Sequence, residues 1–138
     1  MLESIILFSW FKKKSPAPLT GAPLVRRQKT HSALSGYVYQ YFYEGHRGDS
    51  ENTEFVFEVC SDRVSSFAVS VFVSSRAVRS WEQGHGRELN GTEQYAIAKM
   101  ALFQAFDDRA TPLDLRQAIR VEADQVEAIV AGLGLDAE

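Results

Sequence analysis

The fold is decided by residues Asn90–Arg109, which read NGTEQYAIAKMALFQAFDDR. Only two side chains between Tyr95 and Phe106 are polar, so apolar residues cover nearly every side of a helix with about 3.6 residues per turn. Such a helix must be buried on nearly every side. Asn90 is positioned to cap it, and Glu93 is positioned to complete a capping box. We therefore expect the rest of the chain to supply the surfaces that cover this helix.

Three segments before this helix alternate apolar and polar residues with the period of two that is typical of β-strands. They are Gly36–Gly45, Thr53–Cys60 and Val64–Val73. The short link between the second and third segments predicts an antiparallel hairpin. Residues 46–52, between the first and second, are interpreted as a longer polar loop.

Further helices are predicted on both sides of the central one. Ser74–Gln83 has the pattern of a short helix that ends at a glycine. The Thr111-Pro112 pair starts another helix, and after a break near residues 121–123 a last helix covers Gln125–Ala131. Strands followed by helices are typical of the α+β class. The predicted fold is a three-stranded antiparallel meander packed on a central buried helix, with further C-terminal helices.

The composition divides the chain into three parts. Residues 1–14 are an apolar and basic N-terminal arm, residues 15–35 a Pro-rich linker, and residues 36–138 a single α+β domain. Residues 1–31 hold six Lys or Arg against one Glu, a net charge of +5, whereas residues 32–138 hold nine against seventeen acidic residues, a net charge of −8. A basic arm on an acidic body is typical of an interaction tail.

The apolar run at the start of the arm does not predict a membrane span or a secretory signal. Leu2–Phe11 is about half as long as a spanning helix needs to be, and its lysines follow the apolar run instead of preceding it. Cys60 is the single cysteine, so no internal disulfide can form. We therefore expect a cytoplasmic protein with no transmembrane segment.

The basic residues of the arm and linker are Lys12, Lys13, Lys14, Arg26, Arg27 and Lys29. They favour contact with phosphates, so one hypothesis is that they bind nucleic acid or an anionic membrane surface. The other hypothesis is that the apolar part of the arm docks on the domain or on a second copy of the chain.

Four tyrosines share one face of the first predicted strand. They are Tyr37, Tyr39, Tyr41 and Tyr43. The favoured interpretation puts them on the core face with their hydroxyls at its rim, because the other face carries polar residues such as Gln40. Alternatively, they form a partner surface together with Trp10 and Phe11, which also predicts self-association. Stacking of nucleic-acid bases is a third alternative, which the acidic charge of the domain opposes.

The three histidines are scattered, and no pair has the spacing of metal ligands on one element. No metal or other cofactor is therefore predicted. His46 and His85 fall in polar loops, and together with Arg87 and Glu88 they would form a small-ligand or enzyme site if those loops converge.

An anion site is a further hypothesis for the segment before the central helix. Arg87 follows two closely spaced glycines there, as in a phosphate-binding turn. His85 lies beside it, and Arg76 and Arg79 on the preceding helix would extend the patch. The full spacing of a dinucleotide-binding turn is absent, and glycines that end a helix are the simpler explanation.

No motif for nucleophilic catalysis is found, so the sequence argues against an enzyme. The leading hypothesis is a non-enzymatic protein–protein binding or regulatory module. One alternative is a nucleic-acid or anionic membrane-surface binder that acts through the basic arm. The other is a small-ligand or enzyme site built from the His46 and His85 loops.

Overall fold

The computed structural model describes residues 17–135, and within them the chain forms five strands and three α-helices. The strands are β1 (Lys29–Ser32), β2 (Val38–Gly48), β3 (Asn52–Cys60), β4 (Ser66–Ser74) and β5 (Ile119–Val121). The helices are α1 (Ser75–His85), α2 (Gly91–Asp108) and α3 (Ala123–Leu133), and a 3₁₀-helix covers Pro112–Arg116.

The five strands form one mixed sheet in the order β1-β2-β3-β4-β5. Neighbouring strands are antiparallel except for β4 and β5, which are parallel. The predicted α+β class is therefore confirmed, but the predicted three-stranded meander is corrected to a sheet of five strands. The two additional strands have four and three residues, which is too short for a period of two to be recognised in the sequence.

The helix predicted from Asn90–Arg109 forms as α2, and each of its ends lies within one residue of the predicted bound. Asn90 accepts a hydrogen bond from the Glu93 backbone N–H at 2.8 Å, and the Glu93 carboxylate accepts one from the Asn90 N–H at 3.0 Å. From Tyr95 to Asp107 only Gln104 is exposed, as expected for a helix with few polar residues. The capping box and the apolar run thus act together to fix the position of α2.

All three helices share one hydrophobic core with the same face of the sheet. On the sheet this core includes Tyr39 and Phe57, which are completely buried. On α2 it includes Phe106, whose ring stacks on that of Tyr39 with a centroid distance of 4.3 Å. The strand β5 adds Ile119 and Val121 opposite β4. The tyrosine face of β2 is therefore the helix-covered face of the sheet.

The segment predicted as a linker pairs with the edge of the sheet. Thr20 and His46 exchange two backbone hydrogen bonds of 2.8 Å, and β1 continues the pairing with β2 as far as Ser32. Arg26 donates to Glu44 at 2.6 Å and lies over the Phe42 ring. Residues 20–32 are thus part of the folded domain, although proline and glycine in this stretch give it no strand pattern.

A β-bulge in β2 reverses which residues face the helices. The register shifts between Tyr43 and Gly45, so that Tyr43 pairs with Phe57 and His46 pairs with Phe55. His46 therefore joins the tyrosines on the helix side. Gly45 has a φ of +128°, and a Cβ at this position would lie 2.7 Å from the Thr20 carbonyl oxygen. The bulge thus requires glycine both for its backbone conformation and for the close approach of Thr20.

The other face of the sheet is polar but partly covered. Arg47 forms an ion pair with Glu54 at 2.9 Å, and Ser70 donates to the same carboxylate at 2.6 Å. Gln40, which we expected to be solvated, is only 6% exposed. Among residues 17–135, no helix is both long enough and apolar enough to cross a membrane.

Candidate functional site

A groove opens at the edge of the sheet, between residues 21–27, strand β2 and the start of α2. It consists of two adjoining cavities of about 380 and 470 Å³, which share Pro23, Tyr43 and Tyr95. We call it the tyrosine groove, and the residues that define it are Pro23, Arg27, Lys29, Tyr41, Tyr43, His46 and Tyr95.

Packed aromatic rings form the floor of the tyrosine groove. The rings of Tyr43 and Tyr95 are 4.6 Å apart between centroids, and Tyr43 also packs on Phe57 at 5.4 Å. Tyr95 packs on Phe55 at 6.5 Å. Because these partners belong to the hydrophobic core, the floor is a rigid apolar surface.

The tyrosine hydroxyls differ in their hydrogen bonding. The Tyr43 hydroxyl lies 3.1 Å from His46 Nδ1, and His46 Nε2 lies 3.4 Å from Thr20 Oγ1. The hydroxyls of Tyr41 and Tyr95 have no hydrogen-bond partner among residues 17–135. Two of the three phenolic groups in the groove thus have free donor capacity.

Burial further favours the neutral form of these phenols. It raises the pKa of Tyr41 to about 12, and the neighbouring Tyr95 hydroxyl adds to the shift. The pKa of Tyr43 is raised to about 12 for the same two reasons, burial first. A phenol is uncharged at neutral pH even without such a shift, so these groups are neutral hydrogen-bond donors there and stay so into the alkaline range.

Two cations lie at the rim of the tyrosine groove. Arg27 and Lys29 line the cavity beside Tyr41, and neither has an ion-pair partner within the described part of the chain. Arg26, by contrast, is paired with Glu44 on the other face of the sheet. Of the predicted basic residues, Arg27 and Lys29 reach the groove, whereas Lys12, Lys13 and Lys14 lie outside the described residues.

Exposed apolar side chains flank the same rim. Leu24 is fully exposed and Val25, which lines the groove, is 61% exposed. Adjacent exposed aliphatic residues beside an aromatic groove extend its apolar surface beyond the cavity.

The four tyrosines predicted from the alternating pattern have unequal access. Tyr39 is completely buried and Tyr41 is 3% exposed, whereas Tyr43 is half-buried and Tyr37 is 37% exposed. A partner surface made of all four is therefore not formed, because the core packs against Tyr39. Trp10 and Phe11, assigned to the same surface, lie outside the described residues.

The predicted anion patch is divided between two places. His85 ends α1, where Nε2 lies 3.0 Å from Glu127 Oε1 and the ring stacks on Trp81 at 4.3 Å. Arg87 donates to Glu93 at 2.6 Å and to the Leu135 carbonyl at 2.9 Å. These two residues tie the ends of the helices together.

Arg76 and Arg79 lie elsewhere, around a separate cavity with Arg120. His46, which we expected in a polar loop, belongs to β2 because that strand runs on to Gly48. Since His85 is bound to α3 and His46 lines the tyrosine groove, the two histidines do not form the convergent pocket that the enzyme hypothesis required.

One cluster of side chains was not predicted from the sequence. Asp107 Oδ1 lies 2.9 Å from His31 Nε2 and 3.0 Å from the Leu34 backbone nitrogen, and the His31 ring stacks on Phe103. Burial acts to raise the pKa of Asp107, but the hydrogen bonds from His31 and Leu34 outweigh it and lower that pKa overall. This cluster joins β1 to the end of α2. The sequence signal for this cluster was Asp107 itself, a carboxylate in the last turn of α2, where the helix dipole opposes a negative charge.

The fold and the groove thus define a mixed α+β domain with an aromatic cleft at one sheet edge. Comparison with protein-family models, with curated proteins and with solved structures finds no match for this chain. Within residues 17–135, no group of three or more His, Cys, Asp or Glu is arranged to hold a metal ion.

Proposed function

We propose that this protein is a non-enzymatic binding module that holds an extended segment of a partner protein in the tyrosine groove. The segment that fits carries an apolar side chain next to a Glu or Asp. The observation that carries this proposal is the juxtaposition of two unpartnered phenolic donors, Tyr41 and Tyr95, with two unpaired cations, Arg27 and Lys29.

The donors suit a carboxylate. Tyr41 and Tyr95 offer O–H groups that remain neutral, and Arg27 offers a guanidinium that binds a carboxylate through two parallel hydrogen bonds. Hydrogen bonds to a charged group stabilise by about 1.5–3 kcal/mol each, more than neutral ones. Residues 32–138 carry a net charge of −8, so this rim is a local basic site on an acidic body. An acidic segment is attracted there and repelled elsewhere.

The floor suits an apolar side chain. Tyr43, Tyr95 and Pro23 line both adjoining cavities, and Val25 extends the apolar rim. Burying one Leu-sized or Phe-sized side chain contributes about 1.5–3 kcal/mol. In an extended peptide, alternate side chains face the same way, so an apolar residue reaches the floor while its neighbours reach the rim. His46 positions Tyr43 and has no catalytic role in this proposal.

A peptide fits these features better than nucleic acid does. Arg26 is paired with Glu44, which leaves Arg27 and Lys29 as the two cations at the groove. Nucleic-acid affinity depends on neutralising many phosphates, and two cations on an acidic body provide little of it. The arm residues Lys12–Lys14 are the remaining basis for that alternative. Self-association stays a prediction, which light scattering on the full chain tests.

The test uses a fluorescein-labelled hexapeptide in which Leu and Glu alternate, together with a control peptide in which Leu and Lys alternate. Fluorescence anisotropy on the full chain measures the affinity for both. We expect binding of the acidic peptide alone. Removing only the hydroxyls, in the Tyr41→Phe/Tyr95→Phe variant, is expected to weaken it about a hundredfold, because each of the two lost hydrogen bonds to a carboxylate costs upward of about 1.4 kcal/mol, or about tenfold in affinity.

The matched control is Tyr37→Phe, the same chemical change immediately before β2 and outside the groove. It is expected to leave the affinity unchanged. Equal binding of the acidic and basic peptides, or an equal loss in Tyr37→Phe, would contradict the proposal. Salt-sensitive binding of a single-stranded oligonucleotide with no peptide binding would favour the basic-arm alternative instead.

A further inference from the structure

A cavity of about 430 Å³ lies apart from the tyrosine groove and shares no lining residue with it. Three arginines from two distant parts of the sequence meet around it: Arg76 and Arg79 of α1, and Arg120 of β5. Ser50 and Asn52 add polar groups to its wall. We call it the arginine pocket.

The position of these arginines opposes local stability. Arg76 lies in the first turn of α1, where the helix dipole disfavours a positive charge, and that turn holds no acidic residue. Arg79 follows three residues later, so two like charges are neighbours on the helix surface and repel each other. Arg120, brought in by β5, adds a third positive charge. An arrangement that works against the helix indicates a function other than stability.

The arginine side chains are also available. None of the three has an ion-pair partner within residues 17–135, although Glu51 and Glu122 line the same pocket. The guanidinium of Arg120 lies over the Phe72 ring at 5.0 Å, a contact that orients it without using its N–H donors. Within residues 17–135 the pocket therefore presents three guanidinium groups without ion-pair partners, of which that of Arg120 is oriented by the Phe72 ring.

We propose that the arginine pocket binds a phosphorylated polyol or sugar. A phosphate monoester carries close to two negative charges at neutral pH, and several guanidinium groups match its oxygens with paired hydrogen bonds. The rest of the pocket suits hydroxyl groups, since Glu51 and Glu122 accept hydrogen bonds from them and Asn52 both donates and accepts. The lining has no aromatic ring on which a nucleotide base would stack. This site is independent of the proposed peptide groove.

The test is thermal unfolding of the full chain with glucose 6-phosphate as the probe and glucose as its uncharged control. We expect a saturable rise in Tm with glucose 6-phosphate and none with glucose, because a ligand that binds only the folded state stabilises it. In the Arg79→Gln/Arg120→Gln variant the affinity is expected to fall more than tenfold, since each arginine contributes hydrogen bonds to a charged group.

A loss of the Tm response to glucose 6-phosphate in the double variant must be distinguished from a loss of its folded structure. Without ligand, the same variant is expected to melt close to the wild type, because the repulsion removed with Arg79 offsets the Arg120–Phe72 contact that is lost. Arg116→Gln removes the same charge outside the pocket, beside Phe67, and is expected to keep the full response. An unchanged response in the double variant, or an equal loss in Arg116→Gln, would overturn the proposal.

A phosphate group also occurs on lipid headgroups, and a second arm of the experiment separates the two sources. It measures co-sedimentation with vesicles of phosphatidylcholine, with and without phosphatidic acid. We expect that substituting Arg79 and Arg120 does not change the amount of protein that sediments with the vesicles. If sedimentation requires both arginines and glucose 6-phosphate does not raise the Tm, the ligand of the pocket is a lipid phosphate instead of a sugar phosphate.

Discussion

The tyrosine groove, with its two adjoining cavities of about 380 and 470 Å³, and the arginine pocket, of about 430 Å³, are built in opposite ways. The groove is lined by residues that also form the core, such as Tyr41, which is 3% exposed. The pocket is lined by exposed charges, such as Arg79, that stabilise nothing nearby. Substitutions in the groove thus affect binding and folding together, whereas substitutions of the pocket arginines are expected to change binding far more than folding. The following predictions test that contrast.

The largest effect is expected for Tyr41→Ala. The Tyr41 ring packs against Phe57 and Phe103 at centroid distances of 6.4 and 5.7 Å, so its loss leaves a cavity in the core. We expect the free energy of unfolding to fall by about 3 kcal/mol, measured by urea denaturation. Tyr37→Ala, on the exposed end of the same tyrosine series, should cost less than about 1 kcal/mol. Equal losses would show that the groove is not continuous with the core.

An intermediate effect is expected for Asp107→Asn, which weakens the attachment of β1 and thus of the groove edge. The lowered pKa of Asp107 means that its contribution is fully present above the ordinary carboxyl pKa of 3.8 and is lost as the pH falls through the folded-state value. We expect the variant to lose about 1–2 kcal/mol near neutral pH, and this difference to shrink in acid.

Denaturation of both proteins from about pH 2 to about pH 7 measures this dependence, because the contribution is lost below the ordinary carboxyl pKa. Asp108→Asn, a substitution at the adjacent exposed position, is the control and is expected to have little effect. A difference that stays constant with pH would mean that the carboxylate charge of Asp107 is not what holds β1.

The smallest effect is expected for Arg79→Gln in the absence of ligand, and it has the opposite sign. Removing one of two like charges three residues apart should raise the free energy of unfolding by about 0.3 kcal/mol at low salt. The gain should vanish at high salt, because exposed charges are screened. Arg116→Gln, outside the pocket, is not expected to give this gain. A loss of stability in Arg79→Gln would remove the contrast between the two cavities.

The helices and long strands could be predicted because their signals are local. The apolar run and capping box of α2 lie within the 20 residues Asn90–Arg109, and β3 and β4 alternate over nine residues each. The strands β1 and β5 could not be predicted, since they depend on backbone pairing with β2 and β4. The last helix was predicted in the right place but too short, because Glu122 and Gln125 form the capping box and α3 covers Ala123–Leu133 instead of Gln125–Ala131.

The candidate sites were less predictable because they join residues far apart in the sequence. Arg76 and Arg79 were assigned to a hypothetical anion patch with Arg87, but Arg120, which shares their cavity, is supplied by a strand that no periodicity indicated. Arg87 looked available from its glycine neighbours, and only the fold brings it to Glu93 and the Leu135 carbonyl. Which cations remain unpaired is a property of the tertiary structure.

The bulge at Gly45 has a consequence for how the gene tolerates change. Every residue of β2 after the bulge owes its side of the sheet to one additional residue, which puts His46 against Phe55 and Arg47 beside Glu54. An in-frame loss of the single Gly45 codon removes that additional residue, so Glu44 takes the place opposite Val56, and His46 and Arg47 keep their partners and their sides of the sheet. A codon deletion elsewhere in β2 instead shifts the residues on one side of it by one position and exchanges their faces. A library of codon deletions along β2 should therefore tolerate losses better at the bulge than in the rest of the strand.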